Sequence, residues 1–222
     1  NVVESHNGSL LWEPWEVTKA DGTPYRVFTP YFRRGCLSAP PPRQPLPMPS
    51  QLVLATTDCQ MTGIDELQLL PKTDWDKTLT NYWQVGEASA TARLAAFIGK
   101  DLLGYKYGRN FPGRPNVSRL SPYLHWGEVS PNTVWYAAKD RMDAGTINEE
   151  DCDHFLSELG WREFSYSLLY YFPNLPRQNL QPRFDNFAWQ DDADALHRWQ
   201  HGQTGYPIVD AAMRQLWKTG YM

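Results

Sequence analysis

The stretch N-E-E-D-C-D-H-F-L-S-E-L-G-W-R-E-F-S-Y-S-L-L-Y-Y-F-P, residues 148–173, decides the fold. Asn148 is a helix-capping residue, and Glu149, Glu150 and Asp151 place acids in the first turn, where the helix dipole favours them. Phe155, Leu156, Leu159, Leu168 and Leu169 form an apolar stripe at helical spacing. Pro173 ends the helix. Other helices surround it. Leu94, Phe97, Ile98 and Leu102 recur helically within 87–103. Ser130-Pro131 caps and opens a helix from Val134 to Met142, and Pro207 opens one through Trp217 that Gly220 stops. No strand–helix–strand alternation appears from residue 73 onward, so 73–222 is predicted to be a helical domain.

Upstream the character changes. Six of the eleven residues from Ala39 to Pro49 are Pro, which favours an extended, stiff strap. Residues 37–72 therefore read as a linker. Leu52, Val53, Leu54, Leu67, Leu69 and Leu70 suggest that it is partly packed. Residues 1–36 carry Leu10-Leu11-Trp12, a turn at Asp21-Gly22 and an aromatic run from Tyr25 to Phe32. They read as a strand or two and a short helix, the remnant of an α/β domain. The chain opens on Asn1, which leaves room for an upstream part. The fold class is thus mainly α, with a linker and an α/β remnant ahead of the helical domain.

Composition bounds the function. The 222 residues carry a net charge of -4, so bulk electrostatics do not advertise nucleic acid. Mean hydropathy is -0.57, and no run reaches the length of a membrane span. The three cysteines are far apart, which argues against a disulfide scaffold or a Cys-based zinc site and fits a reducing, cytoplasmic compartment. The five His form no metal-ligand pattern, so no metal is expected. Ten Trp, twelve Tyr and nine Phe supply either core or a surface for stacking flat ligands.

Two segments could carry chemistry. From Leu102 to Gly127 there is no acid, while Lys106, Arg109, Arg114 and Arg119 are present, a local charge of +4. Ser118 and Ser121 flank Arg119, and Ser121-Pro122 can start a helix. Hydroxyls, free N–H groups and a cation suit a phosphate or pyrophosphate; a solvated basic loop is the plainer alternative. Arg177 and Arg183 lie in another acid-free segment. The second candidate is the helix face Glu158, Trp161, Arg162, at i, i+3 and i+4. It offers a carboxylate beside an indole for a flat heterocycle, or simply a Glu158–Arg162 surface pair beside a core Trp.

Together the motifs L-L-W-E-P-W-E-V (10–17), G-T-P-Y-R-V-F-T-P-Y-F-R-R-G-C-L (22–37), S-R-L-S-P-Y-L-H-W-G-E-V-S-P (118–131), L-G-W-R-E-F (159–164) and T-G-Y-P-I-V-D-A-A-M-R-Q-L-W (204–217) resemble the photolyase/cryptochrome family. The class I cyclobutane pyrimidine dimer photolyases are the nearest type on these motifs. The resemblance implies that 1–36 end an α/β antenna domain, 37–72 are the interdomain strap and 73–222 are the first part of a helical FAD-binding domain. It implies a carbon–carbon lyase that repairs dimers in UV-damaged DNA by light-driven electron transfer from reduced FAD. A cryptochrome-type blue-light receptor without repair is the alternative.

Residue by residue, the resemblance puts Tyr105 and Phe155 at the flavin. Val117, Ser118, Arg119, Leu120 and Ser121 fall at its phosphates, with Val117 standing where the family often has Thr. Arg162 falls near flavin and diphosphate. Arg109 would contact the DNA backbone, Glu158 would hydrogen-bond the dimer and Trp161 would pack on it. Trp189 would be the outer end of an electron-transfer chain. A folate- or deazaflavin-type antenna chromophore is implied for the whole protein, with no membrane and no protein partner, as a monomer. The family continues beyond Met222, so residues 1–222 alone are expected to hold FAD weakly and to lack repair activity.

Overall fold

The computed structural model describes residues 2–4, 6–53 and 62–221. They are helical, with no strand among the described residues. The chain divides into two compact units, Asn1–Pro47 with Val85–Asn186, and Met48–Gln84 with Phe187–Met222.

The first unit is built from α1 (Glu87–Ala96, continuing as a wider turn through Asp101), α2 (Tyr105–Gly108), α3 (Ser121–Trp126), α4 (Pro131–Asp143) and α5 (Glu149–Tyr171). The central element is α5, whose 23 residues span about 34 Å at 1.5 Å each. Asn148 caps it as expected, its Oδ1 accepting from the Asp151 amide at 2.8 Å. The chain leaves helical geometry at Phe172, ahead of Pro173. Its buried stripe is Cys152, Phe155, Leu156, Leu159, Gly160, Glu163, Phe164 and Ser167. Leu169, expected on that stripe, is instead 46% exposed: two residues past buried Ser167, it falls on the opposite face of the helix. Ser130 caps α4, accepting from the Thr133 amide at 3.1 Å, and Val134, Trp135 and Ala138 are buried on its inner face.

The strand or two expected within residues 1–36 do not form among the described residues. The amides of Leu11 and Trp12 donate to the Glu163 side chain, and a turn from Glu13 to Glu16 follows. These amides are committed to a carboxylate rather than to a neighbouring strand. Residues 28–38 form a run of helical turns that buries Tyr31, Phe32 and Cys36. The prolines beyond are held by a simple device. Proline has no N–H to offer, so the strap presents carbonyls. Those of Pro40, Pro42 and Arg43 accept from Trp12 Nε1, Tyr136 Oη and Asn132 Nδ2. The Trp12 indole then meets Trp135 edge-on at 5.4 Å.

The second unit holds α6 (Ala193–Gln200) and α7 (Pro207–Thr219), with short 3₁₀ turns between residues 64 and 81. Asp192 caps α6, and Gly220 ends α7 in a left-handed conformation, φ 69°. Trp83 Nε1 donates to the Thr219 carbonyl at 2.6 Å. The apolar residues expected to pack the linker do not. Leu52, Val53, Leu67, Leu69 and Leu70 are all exposed, and Leu54 lies outside the described residues. They occur without helical or alternating periodicity, so no one face can collect them.

Candidate functional site

In the first unit, Asp151 near the start of α5 holds the start of α2, and Glu150 pairs with Lys106 beside it. Asp151 accepts from the amides of Gly104 (2.8 Å) and Lys106 (2.9 Å) and from Asn148 Nδ2 (2.6 Å). Burial raises its pKa, but these donors outweigh that effect and hold it below the ordinary value. Gly108 lets the loop that follows come close, since a Cβ there would lie 2.1 Å from the Asn116 side chain. Asn116 in turn donates to the carbonyls of Asp101 and Leu103.

This docking brings Tyr105, Arg109, Phe155 and Glu158 together. The Tyr105 and Phe155 rings are buried edge to face at 5.5 Å. Arg109 reaches across to an ion pair with Glu158 Oε1 and lies 5.4 Å from the Tyr105 ring. The hydrogen bond that Arg109 donates to Glu158 raises the guanidinium pKa, so Arg109 stays charged. The surface pair weighed from sequence, Glu158 with Arg162, is not the one formed. Arg162 donates to Glu163 Oε1 at 3.0 Å and lies over the Tyr166 ring. One turn beyond Glu158, Trp161 is 46% exposed, with the Phe28 ring stacked on one face at 3.7 Å.

The segment 117–121 is held separately. Arg93 of α1 donates to the carbonyls of Ser118 and Val117, each at 2.7 Å. Arg119 sits in the left-handed region, φ 55°, and is exposed. Leu120 is buried, and its amide meets Ser118 Oγ at 3.4 Å. Ser121 is exposed and begins α3, as the Ser-Pro pair predicts. The turn thus anchors itself through Leu120 and Arg93 while carrying a cation and a hydroxyl outward. Earlier in the basic loop, Arg114 lies over Tyr107 and Phe111. In the second unit Trp189 is 77% exposed, beside Phe187 at 4.7 Å.

Sequence reasoning gave Glu163 no role. It is 2% exposed and accepts from the Leu11 and Trp12 amides and from Arg162. Burial pushes its carboxyl up to about 7 despite those donors. The signal was available, because an acid four residues after Leu159 falls on the buried stripe and needs partners. Among the described residues no group of His, Cys, Asp and Glu could hold a metal ion, and no helix is long and apolar enough to cross a membrane.

The comparisons with known proteins agree with one another. The family described as DNA photolyase matches residues 2–50, and the FAD binding domain of DNA photolyase matches residues 155–222. A deoxyribodipyrimidine photo-lyase of Agrobacterium fabrum is 42% identical over all of this chain and 46% of its own length. Cryptochrome-2 of Arabidopsis thaliana is 36% identical over 99% of this chain and 37% of its own. The crystal structure of a bacterial class III photolyase from Agrobacterium tumefaciens superposes with a TM-score of 0.87 at 42% identity, covering 97% of this chain and 44% of that one. The chain spans about half the length of the curated relatives it matches. With family matches near both ends and relatives along its whole length, the chain belongs to the photolyase/cryptochrome family.

Proposed function

We propose that the protein to which these residues belong is a deoxyribodipyrimidine photolyase that repairs cyclobutane pyrimidine dimers in UV-damaged DNA, with FAD as cofactor. The observation that carries this is the face formed by Arg109, Glu158 and Trp161, a paired carboxylate next to an exposed indole. A base flipped from a duplex needs a stacking wall and a hydrogen-bonding edge, and this face offers both. Trp161 supplies the wall. Glu158 has Oε1 on Arg109, which leaves Oε2 to accept from a pyrimidine N–H, while the Arg109 guanidinium would steady the negative charge that develops on the lesion. Arg109 keeps the carboxylate neutralised and, at the pocket edge, meets the backbone phosphates.

The residues present fit the cofactor. The outward hydroxyl and cation of Ser121 and Arg119, with Ser118 behind them, would hold its diphosphate, on a turn that Val117 and Leu120 complete. Tyr105 and Phe155 would border the flavin, with Arg162 nearby, and Trp189 would pass electrons at the surface. When bound and reduced, FAD supplies the light-driven electron; the chain binds, orients and excludes water. The same assignment divides the chain at about residues 36 and 72 into antenna remnant, strap and FAD-binding part, in a monomeric cytoplasmic enzyme that carries an antenna chromophore. The motifs pointed to class I, whereas the 42% identity to a class III structure favours class III.

The test is light-dependent loss of thymine dimers by the full-length protein against Glu158→Ala. The variant repairs more slowly; repair at the wild-type rate removes Glu158 from its role. Trp189→Phe slows photoreduction of oxidised flavin and spares repair by prereduced enzyme, and equal loss of both contradicts the electron-chain role. Full flavin photochemistry with no loss of dimers in wild type marks the photoreceptor alternative instead, which relatives such as cryptochrome-2 keep in view.

A further inference from the structure

Trp161 is not a lone indole on a helix. Its ring lies 3.7 Å from that of Phe28 and within 11° of parallel. Phe28 in turn stacks on Phe32 at 5.6 Å and 9°. The three rings form one column, with Phe32 1% exposed at its base and Trp161 outermost. Phe164 closes the side, 6.0 Å from both Phe28 and Trp161 and edge-on to each. The base of the column depends on Gly160, because a Cβ there would lie 2.4 Å from the Phe32 ring. Phe28 therefore covers one face of the indole, while Trp161 as a whole stays 46% exposed.

We infer that Phe28 is a positioning residue for Trp161: it sets the plane of the indole so that its outward face continues the column into a stacked, unpaired nucleobase. An unsupported indole rotates about its side-chain torsions, and a base stacking on it must first still that motion. The column removes this freedom in advance. It also places the ring at a fixed angle to Glu158, three residues earlier on the same face of α5. Phe28 comes from a segment far from α5 in sequence, so the residues that shape the pocket wall lie in both parts of the chain. The inference rests on the assignment of Trp161 as the lesion wall.

Two measurements test it. In the flavin-loaded full-length protein labelled with 5-fluorotryptophan, the ¹⁹F resonance lost in Trp161→Phe belongs to Trp161. Phe28→Leu moves that resonance, through loss of the ring current above it, and Phe28→Tyr leaves it in place. In the flavin-loaded full-length protein, Phe28→Leu weakens binding of a UV-irradiated oligothymidylate by about tenfold relative to the unirradiated strand, the scale of one base stack. Phe28→Tyr restores it. An unmoved resonance in Phe28→Leu overturns the positioning role. So does wild-type lesion affinity in Phe28→Leu where Trp161→Ala has lost it. Wild-type affinity in Trp161→Ala overturns the wall assignment itself and takes the inference with it.

Discussion

Replacing Glu163 by Gln should uncouple the stability of the chain from pH. Burial raises this carboxyl from its ordinary 4.5 to about 7 in the folded state. Between those values the folded chain keeps a proton that the unfolded chain releases. Its contribution to stability is therefore fully present below about 4.5 and is lost as pH rises through about 7. At 1.36 kcal/mol per pH unit the whole span amounts to about 3 kcal/mol, and the part between pH 5 and pH 8 to roughly 2 to 3 kcal/mol. The glutamine side chain is neutral throughout, and its amide oxygen can still accept from Leu11 and Trp12. The assay is urea unfolding followed by tryptophan fluorescence at the two pH values. With a slope near 2 kcal/mol/M, the midpoint of Glu163→Gln should gain about 1 M on wild type between pH 5 and pH 8. The control is Glu163→Ala, which strands two amides and an arginine and should lose about 3 to 5 kcal/mol at either pH. If the wild-type and Glu163→Gln midpoints keep a constant separation, Glu163 is ionised across the range, and its three donors outweigh burial.

Gly160→Ala forces a methyl into the Phe32 ring and should cost about 1 to 3 kcal/mol by urea unfolding; a loss under about 0.5 kcal/mol contradicts the close approach. Asp151→Asn weakens the acceptor shared by the Gly104 and Lys106 amides and should cost about 1 to 3 kcal/mol at pH 7. Since the pKa of Asp151 is depressed, the wild-type advantage should vanish as pH falls through and below the ordinary 3.8, and an advantage that persists there refutes the capping account. Arg93→Lys loses the forked contact to Val117 and Ser118, so amide exchange at residues 117–121 should accelerate in the variant. Unchanged exchange would show that Leu120 alone fixes the turn.

The helices were legible because their signals are local. Asn148, Ser130-Pro131, Pro173 and Gly220 act within one turn of their own position, and each does in the structure what its residue type dictates. The strands expected within residues 1–36 were misread for the opposite reason. Nothing near Leu11 and Trp12 reveals that their amides will meet a carboxylate some 150 positions away. The same limit hid the true partner of Glu158. Helical spacing offered Arg162, four residues on, while the chosen cation was Arg109, brought in by the docking of α2. Spacing names the groups on one face of a helix, and only tertiary packing decides what stands opposite them.

The grip of Glu163 on Leu11 and Trp12, together with the carbonyls of the strap that Tyr136 and Asn132 hold, has a practical result for handling this protein. Proteolytic nicking anywhere between residues 48 and 84 should release nothing. The amino-terminal piece should co-elute with the remainder from a sizing column and part from it only in detergent, so that two bands on a gel report a single particle in solution.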